Sequence, residues 1–165
     1  MDYLPLFHNL KGRNILVIGG GEIALRKVRL VQEASAIITI VAKDFCPDLL
    51  EMDAQDKKHG CNGLVLITAG YEHQHMLDLP NIVMVIAATN DRDLNRLVSE
   101  HAQAANILSN VVDDPKFSTV IFPSIVDRSP IQIAISSGGD APVLVRWVSL
   151  LGRRLPHSLS AENEA

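Results

Sequence analysis

Apolar and polar positions along this chain switch between two spacings. Residues 14–18 (NILVI) form a nearly unbroken apolar run that stops at three glycines. Such a run is the pattern of a strand buried on both faces. Over residues 22–34 the apolar positions become Ile23, Ala24, Val28, Leu30, Val31 and Ala34, the spacing of a helix with one buried face. Residues 36–41 (AIITIV) predict a second strand. The stretch 43–63 carries a weaker pattern, with a short helix expected near 48–53 and a polar turn, DKKHGCNG. Residues 64–68 and 82–88 predict a third and a fourth strand. Residues 91–105 predict a helix with Leu94, Leu97, Val98, Ala102 and Ala105 on one face, and 107–112 a fifth strand. Strand and helix alternating over the first 113 residues predict an α/β fold, a parallel sheet with helices on both faces.

After Pro115 the pattern changes. Residues 117–122, 124–126 and 131–136 read as strands with no helix between them, and Asp127-Arg128-Ser129-Pro130 reads as a turn. A last helix is expected over 141–155, followed by a polar, frayed tail. The expected domains are 1–113 for the parallel sheet, 114–155 for a small β-plus-helix segment, and 156–165 for a disordered end.

Composition narrows the function classes. The 165 residues are 47% hydrophobic and carry a net charge of -4. That balance excludes a dedicated nucleic-acid binder, which needs clustered cations. Cys46 and Cys61 stand in no CxxC spacing, so a disulfide framework is not expected. The N-terminus lacks the pattern of a signal peptide, and no apolar stretch approaches a membrane span. A soluble cytoplasmic protein is expected. His59, Cys61, His73 and His75 complete no recognised zinc spacing, so no metal site is expected. His101 is expected to be a solvated helix position. Arg26, Lys27 and Arg29 read as a solvated face supported by Glu22–Arg26 and Arg29–Glu33 pairs.

The chemistry-bearing motif is Gly19-Gly20-Gly21-Glu22-Ile23-Ala24, which fits G-x-G-x-x-A between a buried strand and a helix. Gly19 permits the tight turn, Gly21 lets a diphosphate approach the backbone, and Ala24 lets the helix pack closely on the sheet. Amides at the helix N-terminus then face the anion. This is the Rossmann-type fingerprint. The acid that holds a ribose hydroxyl should follow about 20 residues later, and Asp44 stands near there with Lys43 before it. Asp44 can equally cap a helix starting at Cys46-Pro47. The acid favours NAD, and the lysine leaves NADP open. Ala88 and Thr89 end the fourth strand with small side chains, which suits a cofactor crevice or plain close packing.

Two later stretches are candidates for substrate chemistry. In Asn110-Val111-Val112-Asp113-Asp114-Pro115, Asp113 lies at the carboxyl edge of the expected sheet. There it can serve as a base beside a nicotinamide or simply form an Asx turn before the proline. Ser136-Ser137-Gly138-Gly139-Asp140 precedes the last expected helix. It can offer donors to an anion or act as a loop cap.

With these motifs in place, the chain resembles the precorrin-2 dehydrogenase / sirohydrochlorin ferrochelatase family, the N-terminal module of siroheme synthase. The matching blocks are MDYLPLFHNLKGRNILVIGGGEIALRK, AATND, NVVDDPK and FPSIVDRSPIQIAISSGGDAPVL. The resemblance implies NAD binding and oxidation of precorrin-2 to sirohydrochlorin, with iron insertion in many members. It implies that Asp113 serves the chemistry, that Gly19, Gly20, Gly21, Glu22, Ile23, Lys43, Asp44, Ala88 and Thr89 contact the cofactor, and that Asn110, Arg128, Ser136, Ser137 and Gly138 lie near the tetrapyrrole. Ser137 matches a serine that is phosphorylated in some fused enzymes. A homodimer is implied, interlocked through the segment after the parallel sheet. Ferrous iron enters only as a substrate. The family's further helical part and the fused methyltransferase domain have no counterpart here, so methylation is not expected. An NAD-binding sensor and a dimerising scaffold without turnover are the rival readings.

Overall fold

The computed structural model describes residues 3–61, 63–112, 114–128 and 131–138, together with 148 and 150. Two compact units divide the chain, Phe7–Val120 in one and Met1–Leu6 with Ile121–Ala165 in the other.

The first unit is a five-stranded parallel sheet with helices on both faces. Strands β1 (Asn14–Ile18), β2 (Ile37–Ala42), β3 (Leu64–Thr68), β4 (Ile82–Ala87) and β5 (Leu108–Val111) lie in the order β3-β2-β1-β4-β5. The first strand therefore ends up in the centre, with Leu16 level with Thr39 on one side and Val85 on the other. Alternation of side chains splits the core into two layers. Leu16, Ile18, Val41, Val85, Ala87 and Val111 turn to one face. There they meet Val98 and Ala102 of α4 (Arg92–Ala104) and Met76 of the short α3 (Gln74–Leu77). Ile15, Val17, Ile38, Ile40 and Ile86 are buried on the other face. That face lies under α1 (Glu22–Glu33) and α2 (Pro47–Lys58), whose buried residues are Ala24, Leu25, Val28, Val31 and Leu49.

α2 is twice the length its apolar pattern suggests. Only Leu49 of it is buried. The helix is held instead by polar pairs, Lys57 to Asp53 at 2.7 Å and Gln55 to Glu51 at 3.0 Å, both at i,i+4. Arg29 pairs with Asp48 of α2 at 2.8 Å rather than with Glu33 on its own helix, so the link ties two helices together. Three residues with left-handed backbone, Ser35, Asn81 and Asn106, each stand just before a strand.

Residues 117–122 do not form the expected strand. A 3-10 turn, Pro115–Phe117, is followed by irregular chain. The Thr119 and Val120 amides share the Ser109 carbonyl at 2.8 and 3.2 Å, and hydroxyls occupy other bonding groups a ladder would need. Ser99 of α4 donates to the Phe117 carbonyl at 2.5 Å. The Ser109 amide donates to Thr119 Oγ1 at 2.7 Å, and the Val111 amide donates to Ser118 Oγ at 2.9 Å.

His101 is not simply solvated. Its Nδ1 lies 3.1 Å from the Tyr71 hydroxyl, and its ring stacks on His73 with centroids 4.2 Å apart. Burial pushes the Tyr71 hydroxyl up to about 12.

In the second unit, β6 (Ser124–Arg128) and β7 (Ile131–Ile135) form an antiparallel pair, with Val126 level with Ile133. The turn signal at Asp127–Arg128 is thus taken up into β6. The expected helix over 141–155 and the tail over 156–165 lie outside the described residues, apart from Val148 and Leu150, which are helical.

Candidate functional site

The parallel sheet delivers its chemistry at one edge. Strands running in the same direction end at the same edge, and there the loops after β1, β2 and β4 carry seven of the residues singled out in the sequence, Gly19, Gly20, Gly21, Lys43, Asp44, Ala88 and Thr89, with Glu22 and Ile23 in the first turn of α1 and Asn110 inside β5. Asp113 itself lies outside the described residues, as does Gly139. Arg128, Ser136, Ser137 and Gly138 belong to the second unit, where the Gly138 amide donates to Ser136 Oγ at 3.1 Å.

Two of the three glycines serve as the fingerprint assigns, and the third has a duty the fingerprint leaves unspecified. Gly19 has φ +122°, and a Cβ there would stand 2.4 Å from the Ala88 carbonyl oxygen. Gly20 is the tightest of the three: its Cβ would fall 2.0 Å from the Asp44 carbonyl oxygen and 3.0 Å from the Phe45 ring. The Gly20 carbonyl also accepts from the Cys46 amide at 2.7 Å. Gly20, the unspecified position of the motif, is therefore a packing glycine that locks the first turn to the loop after β2. Gly21 is the reverse case, since a Cβ there would meet nothing within 4 Å. That open space lies at the start of α1, where no side chain caps the helix and Gly21 is the N-cap. Uncapped amides beside open space are what an anionic group needs.

Asp44 does not cap α2. The N-cap of that helix is Cys46, with no side-chain bond, so the capping alternative falls away. Asp44 and Lys43 are both exposed in the bend after β2. Glu22 is exposed and Ile23 half-buried in the first turn of α1. The donor set therefore fits a dinucleotide: an open backbone cradle for the diphosphate, with an exposed acid at the next strand end to accept a ribose hydroxyl.

On the other side of β1, the Ala88 amide donates to the Ile18 carbonyl at 2.8 Å, and the Val112 amide to the Ala87 carbonyl at 3.0 Å. Asn110 is 5% exposed. Its Nδ2 donates to the Val120 carbonyl at 2.9 Å, while its Oδ1 is buried with no partner among the described residues. A cleft at the start of α4 is lined by Arg92, Asn95, Val111, Val112, Asp114 and Phe117. Asn95 was not singled out in the sequence. Its only signal is an amide four residues after the Asp91 that follows the strand-end Thr89. Among the described residues, no group of His, Cys, Asp and Glu could hold a metal ion, and no helix is long and apolar enough to cross a membrane.

A family model described as putative NAD(P)-binding matches residues 6–124. The siroheme synthase of Stutzerimonas stutzeri (strain A1501) is 52% identical over 148 residues, which is 90% of this chain and 30% of that protein. The siroheme synthase of Azotobacter vinelandii (strain DJ / ATCC BAA-1303) is 51% identical over 146 residues, 88% of this chain and again 30% of that protein. The chain thus spans about 30% of the length of these curated relatives. Among solved structures, the precorrin-2 dehydrogenase SirC superposes with a TM-score of 0.73 at 26% identity, over 94% of this chain and 72% of that one.

Proposed function

The chain belongs to the putative NAD(P)-binding family whose model covers residues 6–124, and on that premise we propose that it is the dehydrogenase module of siroheme synthesis. In this reading it oxidises precorrin-2 to sirohydrochlorin with NAD. The observation that carries the reading is the 52% identity to a siroheme synthase across 90% of the chain. The likeness to SirC and the open backbone cradle at Gly21 support it.

NAD, when bound, accepts the hydride. The chain's own residues do the rest. The start of α1 holds the diphosphate against bare amides, and Asp44 takes the ribose hydroxyl and favours NAD over NADP. Glu22, Ile23, Ala88 and Thr89 shape the crevice. Asp113 accepts the proton that leaves precorrin-2 as the hydride departs. Asn110 is a further substrate contact, its buried Oδ1 having no partner among the described residues. Arg128, Ser136, Ser137 and Gly138 meet the substrate's carboxylates. The two free cysteines, Cys46 and Cys61, fit a reducing compartment, the cytoplasm. Exposed Leu4, Leu6, Ile125 and Ile131 in the second unit support a homodimer formed by that unit.

The test is an anaerobic mixture of the protein, precorrin-2 and NAD. The expected result is NADH appearing together with the sirohydrochlorin spectrum. Asp113→Ala should lose turnover by 100-fold or more, on the order expected for a general base, while NAD binding is kept. Full turnover in that variant would remove Asp113 from the mechanism. Tight NAD binding with no turnover would favour a sensor. Ferrous iron, added as a substrate to the product, tests iron insertion in the same vessel.

A further inference from the structure

We propose that Asn95 is a positioning residue for the cofactor crevice, clamping the end of β4 at the distance from the glycine turn that a dinucleotide needs. The inference rests on the NAD(P)-binding reading and deepens it.

Asn95 lies near the start of α4 and is 5% exposed. Its carboxamide closes on one residue. Oδ1 accepts from the Thr89 amide at 3.1 Å and from the Thr89 hydroxyl at 2.7 Å, while Nδ2 donates to the Thr89 carbonyl at 2.9 Å. Only one orientation of the amide satisfies these bonds, since a flip would set NH2 against N–H and oxygen against oxygen. The ladder of β4 ends just before this point, so Thr89 has lost its strand partners. Asn95 supplies both in their place.

The other side of the same peptide meets the phosphate turn. The Ala88 carbonyl oxygen and the Thr89 amide nitrogen lie 2.4 and 3.3 Å from where a Cβ on Gly19 would stand. The Ala88–Thr89 peptide is thus held between Gly19 and Asn95. Asn95 is not needed as a helix cap, because Asp91 already fills that place, accepting from the Leu94 amide at 3.0 Å. What remains for this buried amide is to set the gap between two strand ends that face the cofactor.

The experiment measures NAD and NADP affinity by calorimetry in the parent chain, Asn95→Leu and Asn95→Asp, with a thermal melt of each. Asn95→Leu keeps the volume but removes every bond to Thr89, and its affinity should fall tenfold or more. Asn95→Asp is the rescue. Its protonated carboxyl reproduces one donor and one acceptor, and its ionised form loses the donor. Its affinity relative to the parent should fall as pH rises through the titration of this buried carboxyl, which burial lifts above the ordinary value of about 3.9. Arg92 and Asp114 line the adjoining cleft, so they set where that fall is centred but not its direction. A purely structural role would lower the melting temperature and leave the affinity of the folded fraction unchanged. Folded Asn95→Leu with affinity within twofold of the parent would overturn the proposal. If that variant does not fold, an Asn95→Asp affinity within twofold of the parent at about pH 9, where the carboxyl is ionised and has no donor, would overturn it. A parent chain that binds neither dinucleotide would overturn the cofactor reading itself, a result separate from either of these.

Discussion

Adjacent glycines of one turn carry different duties, and substitution separates them. Gly20→Ala forces a methyl group against the Asp44 carbonyl and the Phe45 ring. Overpacking against backbone should cost about 3 kcal/mol or more, read as a lower denaturation midpoint with or without cofactor. Gly21→Ala meets open space at an ordinary φ of -87°. Its fold should stay within about 1 kcal/mol of the parent, the scale of an N-cap change. Its NAD affinity should fall tenfold or more, because the methyl group occupies the cradle. Equal loss of stability in both variants would refute this division. At this scale the sequence was readable where a residue answers to a local rule. Gly19 and Gly21 follow from the fingerprint, and Ala24 is fully buried as close packing requires. Gly20 was illegible because its partner, Asp44, comes from a separate loop, and Asn95 because its bonds to Thr89 follow no helical or strand period.

Helices and strands were legible where burial imposes a period. β1 and β3 fall at the residues their apolar runs mark, and α4 within one residue of its predicted ends. α2 outran its pattern because ion pairs hold it, and charged residues have no hydrophobic period to read. The strand expected over 117–122 failed because the hydroxyls of Ser99, Ser118 and Thr119 take several of the backbone bonds and two successive amides share one carbonyl of β5. The junction of α3 and α4 supplies a titration test. The Tyr71 hydroxyl, 3.1 Å from His101 Nδ1, is held up to about 12 by burial. A difference absorbance titration of the parent against Tyr71→Phe should show phenolate forming near pH 12 rather than at the ordinary 10.0. The folded state holds that proton more tightly than the unfolded chain does. This contribution to stability is therefore whole below about pH 10 and lost as pH climbs through about 12. A midpoint at 10 would mean that the packing of Tyr71 against α4 opens in solution.

For the molecule as a whole, a ligand that meets only the folded edge of the sheet must raise its stability. At a hundredfold excess over the dissociation constant, NAD should add about 2.7 kcal/mol, seen as a shift in the thermal midpoint. NAD should stabilise more than NADP, because a 2′-phosphate would approach the exposed carboxylate of Asp44. The opposite order would transfer control of the ribose to Lys43. The parallel architecture was readable from the alternation of strand and helix, but the order of strands was not, because periodicity records burial and not neighbours.

That order has a consequence for how the chain is made on the ribosome. The strand synthesised first takes the central place, and one of its two neighbours, β4, comes only after Pro80. Until residue 87 has left the exit tunnel, the nascent chain carries a strand that is apolar from Ile15 to Ile18 with one flank unpaired, the surface on which chains aggregate. A pause in translation shortly before β4 would prolong the exposure.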